Sequence, residues 1–180
     1  EVIAEMNRLG IVVDMSHSAE TSTLEAIELS SRPIAITHAN PAFWHPAKRN
    51  KSNDILIELA KNGGMLGFSM YPHHLKQGSK CTLDSFCEMI AQTAEIIGGS
   101  QFLGIGSDLC QDQPDSIVEW MRCGRWTKAI DFGEGSAEQA GFPEQPDWFT
   151  DNTSFSNLEA GLRKAGFSQI ETDGLLGNNW

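Results

Sequence analysis

Two histidines, an aspartate and an arginine stand where an α/β fold does its chemistry. Four short apolar runs cover residues 11–15, 33–37, 65–70 and 102–106, and polar side chains gather where they end. The first run closes on Asp14-Met15-Ser16-His17, the second on Thr37-His38, the fourth on Ser107-Asp108. In parallel α/β folds the functional groups sit at the carboxyl ends of the strands. His17 and His38 lie 21 residues apart, about one strand–helix repeat. Equivalent ends of adjacent strands are only ~5 Å apart, so two imidazoles can reach one metal ion. A lone histidine in such a place is more often a hydrogen-bonded core residue. Two at successive strand ends, with Asp108 on a later strand, shift the balance to a metal-dependent hydrolase. Two imidazoles by themselves suit several divalent ions.

Arg49 follows His38 by eleven residues, in the loop Lys48-Arg49-Asn50. Its commoner fate is a surface ion pair or loop anchor; its functional reading is a bidentate clamp on a substrate carboxylate. His45, His73 and His74 fall in loops and read as exposed or structural. Tyr71 and Trp44 read as packing or as pocket wall.

The elements that must position these groups are legible from periodicity. The four apolar runs are short and largely unalternating, as expected of strands covered on both faces. Between them, residues 19–30, 53–61 and 83–97 repeat apolar positions at helical spacing. Ser52 caps the second of these helices, and Asn62-Gly63-Gly64 and Gly98-Gly99 stop the second and third. Strand then helix, repeated, predicts parallel βα units, as an open doubly wound sheet or part of a barrel. No glycine-rich phosphate-binding motif follows any strand, so a nucleotide-binding sheet has no positive support. Ser156-to-Glu159 and Ser168-to-Glu171 have the form of capping boxes that open short helices near the end. Residues 127–155, rich in Gly, Pro, acid and aromatics and without a clear period, predict a long loop, functional or disordered, and the 109–155 segment is expected to form part of a pocket rim or lid.

Composition bounds the function. The chain has 180 residues, 40% hydrophobic and 21% charged, enough for a single globular unit over 1–180. A net charge of −11 excludes the basic surface that nucleic acid requires. Residues 108–151 hold ten acidic against three basic side chains, which reads first as a solvated loop. No apolar run approaches the ~20 residues of a membrane span. Cys81, Cys87, Cys110 and Cys123 show no C-x-x-C pair and no zinc-ribbon spacing, and read as reduced thiols of a cytoplasmic protein.

The stretch from Glu5 through Asn7-Arg8-Leu9-Gly10 to Asp14-Met15-Ser16-His17 resembles a hallmark of the membrane (renal) dipeptidase family of zinc peptidases. So does Pro33-Ile34-Ala35-Ile36-Thr37-His38-Ala39-Asn40, with Lys48-Arg49-Asn50 downstream, and so do Gly104-to-Asp108 and Leu176-Gly177-Asn178-Asn179. The resemblance implies a (β/α)8 TIM-type barrel of which this chain holds the last four βα units, truncated at both ends. It implies two zinc ions per intact site, bridged by a carboxylate and by water or hydroxide. His17 and His38 match the two histidines of one zinc, Asp108 the catalytic acid that handles protons, and Arg49 the substrate-binding arginine. The implied reaction is hydrolysis of a dipeptide, with a metal-bound hydroxide attacking the peptide carbonyl, in a homodimeric enzyme.

The departures are specific. The family's His-x-Asp pair and bridging glutamate belong before Glu1, and no H-x-D occurs in this chain. Leu109-Cys110 stand where many members carry a second acid, and the last motif stops at Trp180. Residues 1–180 alone are therefore expected to bind zinc weakly and to turn over little or no peptide. Two alternatives stand beside this reading. One is another barrel amidohydrolase acting on a cyclic or acyl-amino amide; the other is a non-catalytic metal-binding half-barrel that pairs with another chain.

Overall fold

A computed structural model describes residues 1–122, 136–138 and 141–180. Cys123 and residues 127–135 of the expected loop lie outside the described residues, as do 139 and 140. The helices are α1 (Val2–Leu9), α2 (Glu20–Leu29), α3 (Asn53–Lys61), α4 (Leu83–Ile97), α5 (Asp115–Arg122), α6 (Phe155–Lys164) and α7 (Gln169–Asp173). The strands are β1 (Ala35–Ala39), β2 (Met65–Ser69) and β3 (Leu103–Ser107). They form one parallel sheet in the order β1-β2-β3, with α3 and α4 as the intervening crossovers.

The run at 11–15 adds to the free edge of β1 through a single parallel bridge, Asp14 to Ala35. Its ladder is two hydrogen bonds, Ala35 N–H to the Val13 carbonyl at 3.0 Å and Met15 N–H to the Ala35 carbonyl at 2.9 Å. It is thus shorter than the expected strand, because Ile11 and Val12 precede the pairing and stand exposed. The other three strands begin and end within two residues of the expected runs.

Local chemistry explains the helix ends. Ser52 Oγ accepts from Ile55 N–H to open α3, and Thr82 Oγ1 accepts from Ser85 N–H to open α4. The Ser168–Glu171 capping box forms and opens α7. The box expected at Ser156 does not: Asp151 caps a preceding 3-10 turn together with Ser154, so α6 has begun before Ser156 is reached. Ser156 thus lies inside the first turn, exposed, where its hydroxyl donates to the Thr153 carbonyl at 3.1 Å.

The core lies between the sheet and helices α3, α4 and α6. Leu66, Phe68 and Leu103 meet Ile55, Leu59, Phe86, Met89 and Ile90, with Leu158 and Leu162 behind them. Phe68 and Phe86 pack edge to face at 6.3 Å between ring centroids. Phe149, fully buried, and Trp148, whose Nε1–H donates to the Cys81 carbonyl at 2.7 Å, anchor the described part of the 141–151 segment onto α4. Cys81, Cys87 and Cys110 are free thiols, the first two buried, and burial raises both to about 11 and about 12. The opposite face of the sheet carries Gly67 and Gly104, against which the Trp180 indole lies.

Candidate active site

Each strand ends in a departure from regular pairing, and those departures place the polar groups. Ile36 pairs with Leu66 and Ala39 with Phe68, so β1 spends one extra residue across Thr37–His38. β3 does the same at Gly106, between Ile105 opposite Phe68 and Ser107 opposite Ser69. A bulge breaks the alternation that would send neighbouring side chains to opposite faces. Thr37 Oγ1 and His38 Nδ1 consequently meet at 2.8 Å. Beyond the β3 bulge, Ser107 and Asp108 both hold left-handed backbone, at φ 31° and 57°, with Asp108 N–H turned back to the Gly106 carbonyl at 2.6 Å. Two successive non-glycine residues in that region mark stored strain at the strand end.

His17 and His38 come together. Their Nε2 atoms are 3.0 Å apart, with ring centroids at 5.1 Å and planes at 61°. Two nitrogens on one tetrahedral zinc stand about 3.3 Å apart at ordinary bond lengths, so the pair is spaced for a shared cation. Among the described residues no third His, Cys, Asp or Glu joins them. Burial lowers the His17 pKa, and the Arg49 and His38 charges lower it further. The His17 ring is therefore favoured in its neutral form.

Arg49 lies beside the same imidazole. Its Nη1 donates to His17 Nδ1 at 2.9 Å and its Nε to the Ser16 carbonyl at 3.2 Å. Asp108, half-buried, has Oδ2 4.0 Å from Nδ1 of His74. At that distance, and with His74 held neutral, the contact is polar rather than an ion pair.

Sequence reasoning passed over several residues that hold this arrangement. Asp14 accepts from Ser16 N–H, Ser16 Oγ, Thr37 N–H and Thr37 Oγ1 at 2.5–3.1 Å. Burial alone would raise its pKa, but these four bonds outweigh it and hold the carboxyl at about 2. Lys51, buried, donates through Nζ to the carbonyls of Met15 and Ser18 at 3.0 and 2.8 Å and so braces the turn that carries His17. Buried Asn40 bridges Ser69 N–H, the Ser69 carbonyl and the His74 carbonyl, while Asn50 binds Asn40 N–H and the His45 and His74 carbonyls. His74, expected to be exposed or structural, is buried with its ring on Ser69 Oγ at 2.9 Å. The signal was the density of Ser, Thr and Asn at the strand ends, which marks hydrogen-bonded turns and not only ligands. Tyr71 packs on His73, His74 and Phe142, and Lys76 lies over the Trp44 ring at 4.9 Å.

A parallel α/β sheet thus brings two imidazoles, a strand-end aspartate and an arginine to one end, with the imidazole nitrogens spaced as two ligands of one cation would be. Residues 1–121 match the family "Membrane dipeptidase (Peptidase family M19)". The chain belongs to that family. It is 30% identical over 109 residues to dipeptidase tcpJ of Claviceps purpurea, covering 60% of this chain and 25% of that protein. It is likewise 30% identical over 106 residues to dipeptidase 3 of Mus musculus, covering 59% and 21%. Among solved structures, an amidohydrolase from Pseudomonas aeruginosa superposes with a TM-score of 0.87 at 30% identity, over 99% of this chain and 53% of that one. A metallopeptidase from Rhodobacter sphaeroides, liganded with a phosphinate mimic of the dipeptide L-Ala-D-Ala, shares the fold at a TM-score of 0.76 and 21% identity. The chain spans about half the length of the Pseudomonas structure and about a quarter of the curated relatives.

Proposed function

We propose that this chain forms the C-terminal half of a (β/α)8 metallo-dipeptidase and carries the histidine pair of one zinc. The observation that carries this reading is the 3.0 Å approach of His17 Nε2 and His38 Nε2 at adjacent strand ends. Bound there, zinc would supply a polarised carbonyl and a water of lowered pKa. Asp108 would take a proton from the attacking water and pass it to the departing amine nitrogen. Its strained backbone and its buried His74 neighbour hold the carboxylate at the sheet's edge for that task. Arg49 would bind the terminal carboxylate of the substrate, which measures length and favours a dipeptide. A neutral imidazole that gives Nε2 to a cation carries its proton on Nδ1. His17 in that form cannot accept from Arg49, so metal loading would turn the guanidinium toward the substrate.

Two histidines are one ligand short of an ordinary catalytic zinc site. Residues 1–180 by themselves are therefore expected to bind zinc weakly and to show little or no dipeptide turnover. Calorimetric titration with zinc, and hydrolysis of L,L- and L,D-dipeptides, test both statements. His17→Ala and His38→Ala should each abolish the zinc heat, and robust turnover by this chain would sink the half-site reading. The match to a protein described as an amidohydrolase favours a second reading, a wider amide substrate range. Preference for lactams or N-acyl amino acids over dipeptides, in an enzyme containing this chain, would select it.

A further inference from the structure

The shortest hydrogen bonds around the histidine pair set the placement of its protons, and they outrank the longer Ser16 Oγ–Thr37 Oγ1 contact at 3.2 Å. The Asp14 carboxylate, ionised at neutral pH, only accepts. Ser16 Oγ–H therefore points to Oδ1 at 2.5 Å, and Thr37 Oγ1–H points to Oδ2 at 2.6 Å. With its own proton spent, Ser16 Oγ can only accept, and it does so from His38 N–H at 3.1 Å. Thr37 Oγ1, likewise spent, faces His38 Nδ1 at 2.8 Å and must accept there too. His38 Nδ1 then carries the ring proton, and Nε2 keeps its lone pair. On the other ring, the Arg49 guanidinium has no acceptor to offer and donates to His17 Nδ1. His17 thus bears its proton on Nε2 and donates it to His38 Nε2 across 3.0 Å.

We propose that Asp14 and Thr37 form a carboxylate–hydroxyl relay that locks His38 in its Nδ1–H tautomer, holding Nε2 ready to ligate a metal. Asp14 and Thr37 are positioning residues: neither faces the ligating nitrogen, and both act through the far side of the ring. The bulge in β1 serves this contact, since a break in alternation lets Thr37 Oγ1 reach the ring of the next residue. The metal part of this inference rests on the zinc reading above; the tautomer does not.

The test uses the metal-free chain labelled with 15N-histidine and long-range 1H–15N correlation spectra at neutral pH. His38 is expected to show a pyrrole-type Nδ1 and a pyridine-type Nε2. Thr37→Val should move it toward the Nε2–H form that free histidine prefers in water, whereas Thr37→Ser keeps the hydroxyl and the tautomer. Zinc competition with a chromophoric chelator should show Thr37→Val weaker by roughly tenfold or more, with Thr37→Ser close to the parent. Asp14→Asn should follow Thr37→Val; because Asp14 also ties two backbone amides, the Thr37 pair decides the matter if Asp14→Asn fails to fold. An Nε2–H His38 in the parent overturns the proposal. So does a folded Thr37→Val chain with unchanged tautomer or unchanged zinc affinity. If the parent binds no zinc while its His38 keeps the Nδ1 proton and Thr37→Val loses it, the zinc reading falls and the relay stands.

Discussion

At 2% exposure, His74 sits against Ser69 Oγ at 2.9 Å and 4.0 Å from the Asp108 carboxylate. Burial, helped by the charges of Arg49 and the other histidines, lowers its pKa from 6.5 to about 3. Between those values the unfolded chain binds a proton that the folded chain refuses. The stability this neutral ring contributes is therefore complete above pH 6.5 and falls as pH drops toward 3, by up to about 1.4 kcal/mol per pH unit. His17, also lowered, acts in the same sense. Asp14 acts at the lower end of that window and beneath it, since its depressed carboxyl loses its contribution as pH falls from 3.8 toward 2. Urea titrations at pH 7 and pH 5 should show a marked loss of stability for the parent chain and a smaller one for His74→Gln. An equal loss in both would show that His74 is not the group responsible. From sequence, His74 was one of several loop histidines; its burial needed Asn40 and Asn50, 34 and 24 residues away, to converge on its carbonyl.

At the scale of elements, the close approach of three strand ends depends on residues without side chains. A Cβ on Gly106 would overlap the Thr37 carbonyl oxygen, stand 2.8 Å from its carbon and reach His38 Cα at 3.2 Å. A Cβ on Gly67 would overlap the same oxygen. These are backbone atoms and cannot move aside as a side chain could, so the strands themselves would have to separate. Gly106→Ala is expected to cost about 2–3 kcal/mol and to part His17 from His38. Thermal melting reads the first effect, and loss of the zinc heat reads the second. The strands and helices were legible because βα repetition, apolar runs and the Ser52 and Ser168 caps are local signals. The bulges were not: register depends on the neighbouring strand, and nothing within Ile36-Thr37-His38-Ala39 announces an extra residue.

At the scale of the whole molecule, no described residue pairs beyond the run at 11–15 on one edge of the sheet or beyond β3 on the other. Ile11 and Val12, 50% and 66% exposed, lie at the first edge beside the single bridge to Ala35, and β3 ends the order at the other. Unpaired strand edges beside exposed apolar residues invite pairing with further strands. If the half-barrel reading holds, those strands belong to the other half of the same enzyme, and the isolated chain should be prone to self-association. Sedimentation of residues 1–180, with and without zinc, checks this. A monomer at tens of micromolar, unaffected by zinc, would show that the edges are already protected. A tight dimer closing at low micromolar concentration would favour the half-barrel module over the dipeptidase half.

The sequence by itself determined the family, the βα order, the placing of His17, His38 and Asp108 at strand ends and that of Arg49 in the following loop, because motifs and periodicity are local properties. Only the tertiary structure decided how those residues meet. It brought the two imidazoles to 3.0 Å, laid Arg49 on His17, and set Asp14 and Thr37 behind His38. The physical reason is that hydrogen-bond direction and strand register are fixed by partners 20 to 35 residues away, and no single stretch of chain contains them.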